Sequence, residues 1–358
     1  MGVEVDFLAV GDETQSGDAI ALRYGNLHGA RTEQTVIVID GGFADSGKSL
    51  IDLIRKHYKT DRVDVVVASH PDQDHISGLR EVLEQLTVGQ LWMHQPWKHS
   101  HELSEARKSN YAWASLSEAV QKSLQGASDL EALANENGVA IVEPFLGVST
   151  PDKAFFVLGP TQEYYETILA GLQTQSSSFS LSDLLRKASE AAASLVPETI
   201  HIETLRDGGV TQPQNNTSVI SYLEVDERKY LFTGDAGIPA LENALDILET
   251  AGFAPGTLGF VQIPHHGSRR NVGPTVLNRL LGEKGQETPH STAYVSAAKK
   301  WDKKHPAKKV TNAFRRRGYS VVATQGVSIR HYKDAPDREG YGPVDPVPFY
   351  DQVEDYED

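Results

Sequence analysis

The chain has 358 residues, a formal net charge of −15 and 39 % hydrophobic residues, which indicates a globular protein with a substantial core. It contains no cysteine, so disulfides and thiolate metal ligands are excluded and any metal must be held by histidine and carboxylate. No stretch approaches the roughly 18 apolar residues of a membrane span, and the N-terminus lacks the regions of a signal peptide. We therefore expect a cytoplasmic protein.

The first part of the chain predicts strands that give way to alternating strands and helices. Strand patterns fall over residues 3–10, 19–24, 35–39, 63–68 and 90–93. Helical spacing falls over residues 49–58 and about 77–86. This order is typical of a layered α/β protein.

Two segments interrupt this alternation. Residues of about 95–150 and 161–210 are mainly helical in pattern and predict insertions. The remaining strands are predicted over residues 154–158, 217–224, 229–233, 259–263, 292–296, 321–323 and 327–331, with helices over 238–250 and 307–317. We predict one domain over residues 1–333.

Charge is distributed unevenly along the chain. Residues 334–358 hold nine acidic residues and one basic residue, which predicts a flexible acidic tail. Nine lysines and arginines lie within residues 299–317, against one acidic residue, Asp302. This cluster predicts a basic patch, with a solvated cationic helix face as the alternative.

The most informative motif is the hexad His70-Pro71-Asp72-Gln73-Asp74-His75, which follows the apolar run 63–68. Carboxylates this close repel unless a cation lies between them. Capping of the following helix explains one of the two carboxylates, but not both together with two histidines. The hexad therefore predicts a metal site at the carboxyl end of a strand.

Two more strands end in residues that could complete this site. Asp235 follows strand 229–233 and could bridge two cations about 3.5–4 Å apart, although Gly-Asp is also a common turn. The pair His265-His266 follows strand 259–263 and suits metal ligation and proton transfer. A surface pair without a ligand is the alternative.

Two weaker candidates are Asn216 and His305. Asn216 begins a strand within Asn215-Asn216-Thr217-Ser218, where turn formation is an equally good explanation. His305 lies inside the basic cluster, where it could donate a proton to a leaving group.

Taken in order, these motifs resemble the metallo-β-lactamase fold and, within it, the hydrolase domain of ComEC-type DNA-uptake proteins. The second histidine of the usual His-x-His-x-Asp-His motif is here Asp72, as is typical of the ComEC-like branch. The resemblance covers most of residues 3–331, but neither the insertions nor the tail, and no membrane channel accompanies it. Its other segments are 16–20, Ile39-Asp40-Gly41-Gly42, 157–160, Asn216-x-Ser218, Thr233-Gly234-Asp235, 264–268 and His305-Pro306.

The resemblance implies a four-layered αββα sandwich with two divalent cations at one edge. One cation would be held by His70, Asp72 and Asp235. The other would be held by Asp74, His75, Asp235 and one member of the pair His265/His266, with the choice between these two left open. Asn216 would approach the first cation, where other family members place a histidine. Oxygen ligands in place of imidazoles make manganese a competitor of zinc.

We therefore expect a metal-dependent phosphodiesterase, a nuclease that cleaves DNA with a water activated by two metal ions. Catalysis is expected from Asp74, His305 and His266, and substrate binding from Asn216, Ser268, Arg269, Lys303 and Lys304. One alternative is a hydrolase of a small molecule such as a lactone or a nucleotide. Another is an effector subunit, for example in antiviral defence, that binds a protein partner through the insertions or the tail. The tail could also occupy the basic groove and inhibit it.

Overall fold

The chain folds into two facing β-sheets with helices on their outer sides. The computed structural model describes residues 1–11, 15–174, 195–299 and 305–356. Within these residues lie a seven-stranded sheet, a six-stranded sheet and a separate pair of short strands. The predicted mixed α/β architecture, consistent with a metallo-β-lactamase fold, is confirmed.

The first sheet has an antiparallel side and a parallel side. Its strands are β1 (Gly2–Phe7), β2 (Ala19–Gly25), β3 (Gln34–Gly41), β4 (Arg62–Val67), β5 (Thr87–Trp92), β6 (Ala140–Val142) and β14 (Ile329–Lys333). They are ordered β14-β1-β2-β3-β4-β5-β6. Strands β3 to β6 run parallel, so their carboxyl ends lie at one edge.

The second sheet repeats this arrangement. Its strands are β7 (Phe155–Gly159), β9 (Ile220–Val225), β10 (Arg228–Phe232), β11 (Phe260–Gln262), β12 (Gln286–Val295) and β13 (Arg317–Ala323). They are ordered β13-β12-β11-β10-β9-β7, and β10 to β13 run parallel. The short strands β8 (Leu195–Pro197) and β15 (Gln352–Glu354) pair with each other.

Helices cover the outer face of each sheet. They are α1 (Ala44–Leu53), α2 (Gln73–Ile76), α3 (Leu79–Gln85), α4 (His101–Ala106), α5 (Asn110–Ala114), α6 (Glu118–Glu136), α7 (Gln162–Thr174), α8 (Ile238–Thr250), α9 (Pro274–Leu281) and α10 (Lys308–Arg316). Helix α1 continues as a π-helical turn, Ile54–Tyr58. In the described part of the chain, no helix combines the length and the apolar character needed to cross a membrane.

Alternating side chains of β3 show how the four layers are held together. Ile37 and Ile39 point into the apolar layer between the sheets, which also contains Phe155 and Phe260. Val36 and Val38 point to the layer under α1, α3 and α6. A strand buried on both faces must be apolar at every position, which explains the continuous run in β3.

The predicted insertions contain helices, and the predicted tail contacts the body of the protein. The predicted insertion 95–150 contains α4, α5 and α6, and α7 begins the insertion 161–210, of which residues 175–194 lie outside the described residues. Residues 334–356, for which we predicted a flexible tail, lie against the body of the protein. The guanidinium of Arg338 is 2.9 Å from Glu4 and 2.7 Å from Asp6, because buried carboxylates require a positive partner.

The predicted basic patch is corrected by the structure, because several of its cations point inward. The side chains of Lys309, Arg316 and Arg317 are fully buried. Arg316 lies 2.9 Å from the carboxylate of Glu198, and Arg317 lies 2.8 Å from that of Glu203. The two guanidinium groups hold the segment after β8 onto α10 and β13, and they are not available to a surface ligand.

Replacing Glu198 by alanine would leave the buried guanidinium of Arg316 without its carboxylate. We expect this variant to lose about 3–5 kcal/mol in the free energy of unfolding, measured by chemical denaturation. Glu249→Ala is the control, because Glu249 pairs with Arg279 at the surface and its removal should leave stability nearly unchanged. Equal effects of the two substitutions would contradict a structural role for the buried pair.

Candidate metal centre

The turns after three strands meet at one edge of the sandwich. The turn after β4 carries the hexad, the turn after β10 carries Asp235, and the turn after β11 carries the pair His265–His266. The two sheets are hydrogen-bonded to each other at this edge, because the backbone N–H of Val219, before β9, donates to the carbonyl of Ser69, after β4, at 2.9 Å. Ligand sites of α/β proteins lie at such carboxyl ends.

Asp72 stands at the N-cap position of α2, yet its carboxylate makes no capping hydrogen bond. Its Oδ1 accepts a hydrogen bond from the hydroxyl of Ser123 at 2.9 Å. Its Oδ2 lies 3.6 Å from Nε2 of His70. The capping alternative therefore does not describe this carboxylate, which faces a histidine instead.

Asp235 is buried, and its two carboxylate oxygens face different imidazoles. Oδ2 lies 3.8 Å from Nε2 of His70 and 3.5 Å from Nε2 of His265. Oδ1 lies 3.4 Å from Nε2 of His75. One carboxylate thus stands between two groups of nitrogen donors, as a bridging ligand would.

The two adjacent histidines lie on opposite sides of Asp235. Nε2 of His266 lies 3.7 Å from Oδ2 of Asp74, which in turn is 3.9 Å from Nε2 of His75. His265 instead shares the side of His70. Both histidines have positive φ angles, 48° and 54°, an unfavourable backbone conformation that occurs at functional sites.

The Nδ1 atoms of three histidines are held by oxygen atoms, which leaves each Nε2 directed at the centre. Nδ1 of His70 contacts the Ser69 hydroxyl at 3.0 Å, that of His75 contacts Asp40 at 2.7 Å, and that of His265 contacts Asn271 at 3.0 Å. If each Nδ1 carries the proton, each Nε2 presents a lone pair. This tautomer is the one that metal-binding histidines adopt.

Buried atoms of this centre make no hydrogen bond to any residue that the structure describes. They are Nε2 of His70, Nε2 of His75, Oδ1 of Asp235 and both ring nitrogens of His266. Buried polar atoms are nearly always paired, so this group requires a partner. Imidazole nitrogens and carboxylate oxygens are ligands of zinc and manganese, and the residues present fit such ions.

The charges of the centre stabilise one another against burial. Burial alone would lower the pKa of His75, but the carboxylates of Asp235, Asp40 and Asp74 raise it well above its usual range. Burial opposes charge on Asp235 too, but His265 and His75 hold the pKa of this carboxyl well below its usual range. The pKa of His266 is about 9, since Asp74 and Asp235 outweigh its burial. At neutral pH, protons therefore occupy positions that a metal ion would take.

Asp40 is a site residue to which the sequence analysis assigned no role. Its carboxylate accepts hydrogen bonds from the backbone N–H of Ser69 at 2.7 Å and from the Ser69 hydroxyl at 2.5 Å, and it contacts His75. It therefore fixes both the start of the hexad and one of its imidazoles. The only local signal was an aspartate before two glycines at the end of β3.

Asn215, and not Asn216, faces the centre. Nδ2 of Asn215 lies 3.5 Å from Oδ2 of Asp235 and 3.2 Å from Nδ1 of His265. Oδ1 of Asn216 accepts a hydrogen bond from the backbone N–H of Gly237 at 3.2 Å. The amide of Asn216 stabilises the turn before α8, and its expected approach to a cation stays a prediction.

Three other predicted site residues, His305, Ser268 and Arg269, lie close to the pair of histidines in sequence or in space. The ring of His305 lies 5.9 Å from that of His265. The hydroxyl of Ser268 accepts a hydrogen bond from the backbone N–H of Arg270, and Arg269 donates to the carbonyl of Asp355 at 3.0 Å. Lys303 and Lys304 lie outside the described residues.

A sequence comparison agrees with this geometry. The Metallo-beta-lactamase superfamily model matches residues 30–115, a segment that contains β3, β4 and the hexad. Residues 30–115 are thus similar to the metallo-β-lactamase superfamily. The superfamily segment thus supplies His70, Asp72, Asp74 and His75, whereas Asp235 and the histidine pair come from the second sheet.

Comparison with curated protein sequences gives no match. Among solved structures, Tm1679, a metal-dependent hydrolase of the β-lactamase superfamily, is 14% identical, with a TM-score of 0.43 and coverage of 91% of this chain and 98% of that one. A diphosphatase from the PhnP family is 10% identical, with a TM-score of 0.37 and coverage of 93% and 99%. Likenesses this weak do not identify a substrate.

Metal affinity should rise with pH, because the imidazole of His266 must lose a proton before it can bind a metal ion, and Asp74 and Asp235 stabilise its protonated form. Below a pKa of about 9, His266 carries that proton, so manganese binding at neutral pH should release protons. Calorimetric titration from about pH 6.5 to about pH 8.5, in buffers of different ionisation enthalpy, measures both effects. Asp235→Asn should lose most of the affinity. Affinity that is unchanged by pH and by this substitution would contradict the site.

Asp40→Asn tests the residue that the sequence analysis overlooked. The amide oxygen can still accept from Ser69, but the negative charge beside His75 is lost. We expect metal affinity to fall by about 10–100-fold with the fold intact. Asp45→Asn, at an aspartate whose side chain is 96% exposed, is the control and should bind metal like the wild type.

Proposed function

We propose that this chain is a metal-dependent phosphodiesterase that cleaves nucleic-acid strands, with DNA as the expected substrate. The observation that carries the hydrolase part is the convergence of unpaired, buried nitrogen and oxygen atoms on the two oxygens of Asp235. Superfamily members are metal-dependent hydrolases, which agrees with this assignment.

The chain's own residues have separate roles in this proposal. Two bound cations would lower the pKa of a water towards neutrality and neutralise charge on a phosphate oxygen. Asp74 can hold that water, because one third of its side chain is exposed while its carboxylate stays 3.7 Å from His266. We assign the proton for the leaving oxygen to His305, beside His265.

Asp72 supports a finer assignment. A carboxylate in place of the second histidine of the family motif favours the ComEC-like branch. Together with Asp74 and Asp235, it gives the centre three carboxylates. Such oxygen ligands favour manganese as an alternative to zinc. We therefore propose two divalent ions, with manganese and zinc as the candidates.

Cations near the centre support an anionic substrate. Arg269 and Arg270 directly follow the turn that carries His265 and His266. Arg206 lies in a loop that contacts α9. The carboxylate of the next residue, Asp207, accepts a hydrogen bond from the backbone N–H of Thr275 in α9. Because Arg316 and Arg317 are buried in ion pairs, these arginines are among the described residues to which we assign phosphate binding.

A small-molecule phosphoester is a second candidate, favoured by an apolar cleft beside the centre. The cleft is lined by His70, Met93, His94, Tyr165 and Thr217, among other residues. Burial lowers the pKa of His94 to about 3, so its imidazole is neutral. This neutral lining suits an uncharged organic group better than a charged strand, but the free volume of about 20 Å³ admits such a group only if the lining side chains move.

Labelled DNA, labelled RNA and bis-p-nitrophenyl phosphate, each offered with manganese or zinc, test the proposal. We expect cleavage of DNA by the wild type and a loss of about 10²–10⁴-fold in Asp74→Ala. Asp52→Ala, at an exposed aspartate of α1, should keep full activity. A protein that binds metal yet cleaves none of the three substrates would overturn the proposal.

The same experiment separates the two candidates. Hydrolysis of bis-p-nitrophenyl phosphate with neither nucleic acid cleaved would favour the small-molecule phosphoester. Tyr165→Ala should then raise KM more than it lowers kcat, because the residue lines the cleft without contacting Asp235.

A further inference from the structure

The last part of the chain is anchored to the body before it reaches the metal centre. The backbone N–H of Val347 donates to the carbonyl of Val321 at 2.8 Å. Strand β15 pairs with β8, and the side chain of Val353 in β15 is fully buried. The chain up to β15 is therefore part of the fold, and only the residues after it can leave without breaking a strand.

The ring of Tyr356 lies among three cations. Nζ of Lys309 is 4.2 Å from the ring centre, and the guanidinium carbons of Arg206 and Arg269 are 4.8 Å and 4.9 Å from it. The hydroxyl of Tyr356 accepts a hydrogen bond from the backbone N–H of Arg206 at 3.1 Å. Three positive charges this close repel one another unless something negative or aromatic lies between them.

Acidic groups of the same segment contact the same cations. Oδ1 of Asp355 is 3.8 Å from Nζ of Lys309, and the carbonyl of Asp355 accepts from Arg269 at 3.0 Å. Oε1 of Glu354 accepts from the backbone N–H of Lys309 at 3.3 Å, in the first turn of α10. A helix N-terminus with adjacent cations is a favourable place for an anion.

This cationic pocket adjoins the metal centre. Arg269 is three residues after His266, and the backbone N–H of Ala307, just before α10, donates to the carbonyl of Gly267 at 3.0 Å. A side chain at Gly267 would collide with Pro306, so the histidine turn and the start of α10 are packed without a gap. An anion held in the pocket would therefore lie beside the histidine turn.

The environment of the Lys309 ammonium indicates that this site binds a ligand. Its side chain is fully buried, and its Nζ makes no hydrogen bond to any described residue. Its nearest carboxylate oxygen, at 3.8 Å, is too far for one. A buried ammonium without hydrogen bonds is costly, and a phosphate oxygen would be a better partner than Asp355.

We propose that Arg206, Arg269, Lys309 and the first turn of α10 form a binding site for a phosphate group of the substrate strand. Asp355 and Tyr356, which follow β15, occupy this site and must be displaced by the substrate. The identity of the ligand as a phosphate of a nucleic-acid strand rests on the proposed function. The observation that the three cations lie against the acidic segment does not depend on the proposed function.

The full-length double variant Asp355→Asn/Tyr356→Ser tests this proposal without removing a strand. If the segment covers the site in most wild-type molecules, the apparent affinity is the intrinsic affinity multiplied by the small fraction of molecules in which the site is open. We therefore expect the variant to bind about tenfold tighter. The probe is a fluorescein-labelled single-stranded oligonucleotide, followed by anisotropy in EDTA so that no turnover occurs. Circular dichroism verifies the fold.

The matched control is Asp337→Asn/Tyr341→Ser, which makes the same chemical changes in the same tail, away from the three cations. It should bind like the wild type. Adding Arg269→Gln to the first variant should abolish the gain. Equal affinities of the wild type and the first variant would overturn the proposal, even if DNA is cleaved. A gain in binding without cleavage of any substrate would support the phosphate site and count against the proposed function.

Discussion

The structure depends on an electrostatic constraint at one edge of the sandwich. The carboxylates of Asp235 and Asp74 face the imidazoles of three buried histidines, His70, His75 and His266. The facing atoms are 3.4–3.9 Å apart, too far for good hydrogen bonds and too close for independent charges. Burying ionisable groups is costly unless they are paired. Divalent ions on the two sides of Asp235 would pair these facing atoms, so the arrangement is best explained as a site shaped for metal.

The two sheets keep these groups from relaxing away from each other. Gln262 at the end of β11 accepts hydrogen bonds from the backbone N–H groups of Thr233 and Gly234 and donates to Asp18. The backbone N–H of Asp235 donates to the hydroxyl of Ser218. The turn that carries Asp235 is thus tied to its neighbours by two buried side chains, those of Gln262 and Ser218. Metal and catalytic sites need such support, because small displacements of a ligand reduce activity strongly.

The sequence predicted the centre where polar residues are concentrated, and it failed where a role depends on folding. The hexad and the histidine pair stand out because several metal ligands follow an apolar run. Asp40 is a single polar residue before two glycines, and the sequence around it does not indicate its contact with His75, 35 positions away. The basic residues within 299–317 led to an incorrect surface patch for the same reason. Arg316 is paired with Glu198, 118 positions earlier, and no count of charges reveals that pairing.

Net charge is likewise a poor guide to the partner of this protein. A value of −15 argues against a polyanionic ligand, yet many of the negative charges are held by the protein's own cations. Arg338 neutralises Glu4 and Asp6 inside the fold, and Asp355 lies against Lys309 beside the metal centre. Removing only the last acidic contacts would change the local field at the centre while the rest of the surface stays acidic. If the substrate is a phosphodiester, we therefore expect its affinity to depend on which anion occupies the few cations near the histidine turn, and not on the total charge of the chain.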